Sequence, residues 1–143
     1  MVSNRSRPAL IRILAWLTIP FSVAMFLSIA LALLGIGPTI MGGEHVTRAN
    51  WLHVAAPLVA TIGTLMALIS YGFTKEKRWS RHLVVGMFVF IIVYALTARM
   101  LDGIPARIMW RALLNATFFA GLSIWYFYFK PNVAAYFAEL RSR

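Results

Sequence analysis

The sequence predicts an all-α integral membrane protein: a four-helix bundle with both termini in the cytoplasm and a short amphipathic helix at its C-terminal end. Three observations predict it. The chain has 143 residues, of which 61% are hydrophobic and only 13% charged, whereas a soluble domain is about a quarter charged. No soluble core of this length could hide so much apolar surface, because small domains have a high surface-to-volume ratio; the mean hydropathy is +0.77. Charge is absent between Arg12 and Glu44 and between Arg48 and Lys75, and Arg81 to Arg99 and Arg111 to Lys130 bound two shorter runs. Lys and Arg gather at the ends of these runs, where phospholipid headgroups would meet them.

A span needs about 20 apolar residues to cross about 30 Å of hydrocarbon. The runs place helices at about 10–34, 50–73, 82–101 and 108–129, in a single membrane domain over 1–143. Helices are required because lipid offers no partner to a free backbone N–H, and the alternation of a membrane barrel is missing. The first run carries Pro20 between Thr18 and Ser22. A kink is expected there, with the hydroxyls satisfying the carbonyl that proline frees. This run exceeds the 7–15 residues of a signal-peptide core, so an uncleaved span is expected despite Ala30-Leu31-Ala32.

The second run opens with Asn50, a candidate N-cap, and Pro57 sits within two turns of it. Ala56, Ala60, Gly63 and Ala67 recur at helical spacing, which lets two backbones approach closely. That stripe serves either packing within the chain or an interface with another subunit. The segment from Gly35 to Ala49 reads as loop. Glu44, His45 and His53 are too few, and too irregularly spaced, to suggest a metal site. Gly103 after the third run reads as a C-cap, with Pro105 preventing continuation.

The fourth run holds the most informative polar pattern. Arg107, Arg111 and Asn115 are spaced i, i+4, i+8, and Ser123 continues the line two turns deeper. Arg99 and Asp102 end the preceding run at the same level. The layer of Arg99, Arg107, Arg111 and Asn115 is either a set of headgroup anchors or a site for an anion or lipid headgroup, since Arg binds phosphate bidentately. Beyond Lys130, Pro131 ends the run, Asn132 is a candidate cap, and a helix over about 132–141 puts Val133, Tyr136, Phe137 and Leu140 on one face. That helix is expected to lie on the cytoplasmic leaflet.

Of the fourteen Lys and Arg, ten fall on one side of the predicted topology: Arg5, Arg7, Arg12, Lys75, Lys77, Arg78, Arg81, Lys130, Arg141 and Arg143. Four fall on the other: Arg48, Arg99, Arg107 and Arg111. The positive-inside rule then puts both termini in the cytoplasm of a bacterial inner membrane. With the flanks accounted for, no basic face is left for nucleic acid.

Trp125-Tyr126-Phe127-Tyr128-Phe129-Lys130, followed by Val133 and Tyr136-Phe137 and preceded by Arg107 and Arg111, resembles the ending of several small bacterial four-helix inner-membrane families of unknown function. The resemblance covers the last third of the chain and implies a topology.

All four carboxylates, Glu44, Glu76, Asp102 and Glu139, lie outside the predicted spans, whereas proton-coupled transport uses a titratable group near the midplane. With no cysteine, thiolate chemistry and Cys-ligated metals are excluded. No catalytic motif is present, and no metal or other cofactor is expected. The reading these features favour is a non-catalytic accessory or assembly subunit of a larger membrane complex, or a homo-oligomer, in contact with membrane lipids. The alternatives are a small transporter or lipid/anion-binding protein using the Arg/Asn layer, and a membrane enzyme acting on a lipid-soluble substrate.

Overall fold

The computed structural model describes residues 8–140. Arg5, Arg7, Arg141 and Arg143, which enter the charge argument, lie outside them. Four long helices run antiparallel to one another in sequence order: α1 (Ala9–Leu34), α2 (Arg48–Thr74), α3 (Ser80–Met100) and α4 (Ala106–Phe129). All four are long and apolar enough to cross a membrane, and each start and end lies within two residues of the sequence expectation. A fifth helix, α5 (Pro131–Glu139), follows α4.

Two prolines are matched by widened turns. Trp51–Ala55 of α2 and Trp125–Phe129 at the end of α4 are π-helical. Within a continuous helix a proline ring clashes with the carbonyl four residues earlier; for Pro57 that carbonyl belongs to His53, inside the first of these π turns. Pro131 does more than stop α4. Lys130 is extended, as a residue before proline prefers, and Pro131 is the first residue of α5. Asn132 is therefore inside α5 and not its cap.

Other local expectations are corrected in the same way. Thr47, not Asn50, caps α2, its hydroxyl accepting from the Asn50 N–H at 3.3 Å. At Pro20, α1 continues unbroken. The flanking hydroxyls leave the Trp16 carbonyl alone: Thr18 donates to the Leu14 carbonyl, and Ser22 crosses to the Gly63 carbonyl of α2. The left-handed residue closing α3 is Asp102 (φ 51°) and not Gly103. Gly103 N–H donates to the Ala98 carbonyl and Asp102 N–H to that of Arg99, the paired pattern of a Schellman cap. Glu76 (φ 53°) closes α2 by the same pattern.

The segment expected as plain loop contains a hairpin. β1 (Ile40–Met41) pairs antiparallel with β2 (Glu44–His45). Gly42 and Gly43 both have positive φ, which a two-residue turn matching strand twist requires.

Consecutive helices pack along their lengths, α1 on α2, α2 on α3 and α3 on α4, while α1 and α4 have no comparable contact. The bundle is therefore open along an α1/α4 seam. Its buried residues form two clusters. One, at the hairpin end, joins Ala32, Met41, Trp51, Ala98 and Ile108. The other, at the tail end, joins Ile11, Phe73, Val84, Phe127 and Phe137. Phe73 stacks on Phe127 at 5.8 Å, and Phe127 meets Phe137 edge to face at 6.0 Å. Val133, Tyr136 and Phe137 are thus buried against the bundle. The apolar face of α5, expected to rest on lipid, is occupied by protein.

Candidate functional site

The sequence-derived site residues sit at the hairpin end of α4, and two of them hold the hairpin. Arg111 Nη1 donates to the Gly42 carbonyl at 2.8 Å. Arg107 Nε lies 3.0 Å from Glu44 Oε1. Between these two arginines, Ile108 is buried beneath the turn, so close that a Cβ on Gly42 would stand 2.7 Å from its Cγ2. From the other side, Trp51 Nε1 donates to the Ile40 carbonyl at 3.1 Å. Arg48 closes the lead into the hairpin by donating to the Gly35 carbonyl at 2.8 Å. The i, i+4 spacing of Arg107 and Arg111 puts both on one face, and that face is a clasp.

Arg99 stands apart from this clasp. It pairs at 3.1 Å with Asp102, three residues on, at an exposed position. Asn115 lies one turn deeper than Arg111. It is exposed, and its side chain makes no hydrogen bond among the described residues. The four residues proposed as one layer therefore divide into a clasp (Arg107, Arg111), a local pair (Arg99) and an isolated amide (Asn115). Ser123, on the same helical line, lies near the tail end and faces a different environment.

No family model, curated protein or solved structure matches the chain. Functional reading therefore rests on this chain's own geometry.

The small-residue stripe of α2 is only partly used within the chain. Gly63 is buried, and a Cβ there would lie 3.2 Å from Met25 Cβ and 3.1 Å from Phe26 Cε2 of α1. Ser22 Oγ donates to the Gly63 carbonyl at 2.7 Å, and Ser70 Oγ to the Ala15 carbonyl at 2.5 Å. Ala56 and Ala60 are half-buried and Ala67 is exposed. The line of closest approach leaves the stripe after Gly63 and passes to Ser70.

His45 and His53 are exposed, and among the described residues no three His, Cys, Asp or Glu side chains converge as metal ligands would. Sequence reasoning missed the Glu44–Arg107 pair, whose only cue was a lone carboxylate in that loop. It also missed a polar cluster at the tail end: His82 Nδ1 lies 2.5 Å from Tyr128 Oη, and the Arg81 guanidinium lies over the Tyr128 and Phe137 rings at 4.9 and 5.3 Å. The alternation of basic and aromatic residues in that region was the available signal.

Proposed function

We propose that this protein is a non-catalytic, multi-pass bacterial inner-membrane protein, with both termini cytoplasmic, that works by lateral association through the seam side of α4. The partner is a subunit of a larger membrane complex or a second copy of the chain. The observation that carries this reading is Asn115. It lies one turn, about 6 Å at 1.5 Å per residue, inward of Arg111 along α4, on the apolar side of the arginine layer. It is exposed there, with no side-chain partner among the described residues. A primary amide facing lipid leaves donors and acceptors unsatisfied, and a neighbouring helix supplies what lipid cannot. Such interhelical hydrogen bonds contribute about 0.6–2 kcal/mol.

The clasp supports the same reading. Each arginine already holds one protein oxygen, Glu44 Oε1 at Arg107 and the Gly42 carbonyl at Arg111. Those contacts suit a rigid lid over the hairpin end better than an open receptor.

The test is association in bilayers or mild detergent. The parent chain is expected to co-purify with another membrane protein or to migrate as an oligomer, and Asn115→Leu to weaken this about threefold to thirtyfold, as one interhelical hydrogen bond allows. An Asn115→Leu variant that associates as the parent does, or a parent that is monomeric and partnerless, would overturn the reading.

A further inference from the structure

Below Asn115, the open seam becomes a cavity. Residues Asn115, Phe119, Leu122 and Tyr126 fall at i, i+4, i+7 and i+11 on one stripe of α4, and the last three line a space of about 520 Å³ at the tail end. All four long helices contribute to its walls, among them Leu14 and Phe21 of α1, Met66 of α2, and Met87 of α3. The lining is almost wholly apolar. Protein interiors are normally close-packed, and an apolar space of this kind does not hold water well.

The same cavity runs into a cationic cleft. Leu10, Tyr126 and Lys130 border both spaces, and the cleft adds Arg12, Asn132 and Tyr136. Lys130 Nζ sits 5.0 Å from the centre of the Tyr126 ring. No carboxylate among the described residues lines the cleft. An apolar channel that is open towards lipid along one side, and ends at two cations at the level where headgroups lie, matches one kind of molecule.

We propose that the tail half of the α1/α4 seam binds one anionic phospholipid, an acyl chain in the apolar cavity and its phosphate between Arg12 and Lys130. Arg12 offers paired N–H donors to phosphate oxygens, and the Asn132 amide adds a neutral donor. Two cations without a carboxylate favour an acidic headgroup over one that carries an ammonium. The dimensions favour a chain over a helix: one turn of a helix about 10 Å wide already occupies roughly 400 Å³, so a partner helix would fit little more than one turn. The proposal does not depend on association at Asn115, which lies one turn beyond the cavity.

The full chain, reconstituted with equal phosphatidylglycerol and phosphatidylethanolamine and then washed in mild detergent, is examined by native mass spectrometry. One phosphatidylglycerol is expected per chain, preferred about tenfold, as two cations at headgroup level provide. Arg12→Ala combined with Lys130→Ala should abolish the preference, and Arg12→Lys with Lys130→Arg should keep it. Ser123→Phe, which fills the cavity and leaves both cations, should reduce retention of either lipid. Asn115→Leu should leave retention unchanged, which separates this site from the association surface. The proposal is overturned if the double alanine variant keeps the preference, if inorganic phosphate displaces the bound lipid, or if a cysteine at position 122 cross-links a second copy into the cavity.

Discussion

Arg111 on α4 reaches back to the Gly42 carbonyl at 2.8 Å, tying the end of the bundle to a turn that lies far earlier in the chain. This contact and the Arg107–Glu44 pair join the Trp51–Ile40 hydrogen bond and the buried Ile108 in holding a four-residue ladder that is marginal by itself. Both contacts are exposed, but the clasp joins α4 to backbone of a distant segment through a charged donor, whereas Arg99–Asp102 links neighbours on one turn.

The two kinds of arginine should differ in substitution. Arg111→Ala is expected to lower stability by about 1–2 kcal/mol, from loss of a charge-assisted hydrogen bond, and to speed amide hydrogen exchange at residues 40–46. Arg99→Ala should change stability by less than about 0.5 kcal/mol. Equal effects of the two substitutions on exchange in the hairpin would show that the clasp does not hold it.

Glycines in the helices should separate by what surrounds them. Gly63→Val forces two methyl groups against Met25 and Phe26 and should cost about 1–3 kcal/mol, as overpacking does. Gly86 has nothing within 4 Å of its would-be Cβ, so Gly86→Ala should be neutral or stabilise by up to about 1 kcal/mol through helix propensity. Unfolding in mixed micelles of detergent and denaturant measures both.

The tail helix should behave as part of the bundle. Phe137 is 1% exposed and Phe127 2%. Phe137→Ala is expected to destabilise by about 3–5 kcal/mol, the range for a buried aromatic deletion, and to make residues 131–139 accessible to protease. A variant as stable as the parent, with the tail still protected, would return α5 to the role of a helix resting on lipid.

Much of the fold was legible in the runs between charges. Length and absence of charge are enough to place α1 to α4 within two residues, because an apolar run long enough to cross a membrane has few alternatives to a helix. The small devices at helix ends were less legible. Thr47 and Asn50 are both good caps, and only the path of the chain into α2 decides between them. Gly103 looked like the left-handed residue because glycine takes that conformation most easily; Asp102 takes it because Gly103 is needed where a Cβ would crowd the Ala98 carbonyl and Val54.

Of the candidate site, the i, i+4 spacing of Arg107, Arg111 and Asn115 was readable, since helical geometry alone aligns them. Their partners were not. Glu44 and Gly42 come from a hairpin far earlier in the chain, and no local pattern encodes that pairing.

The sequence by itself determined four helices, their ends and the grouping of positive charge, because these follow from hydrocarbon thickness and from the cost of burying charge in it. Only the tertiary structure decided that the helices pack in order without closing α1 on α4, that α5 folds its aromatic face onto Phe127, and that the layer splits into a clasp, the local Arg99–Asp102 pair and an Asn115 with no side-chain partner among the described residues. The physical reason is that lipid is as apolar as the core. Hydropathy separates membrane from water, but it cannot tell a side chain facing lipid from one facing a neighbouring helix; shape, small residues and single hydrogen bonds such as Ser22 to Gly63 make that choice.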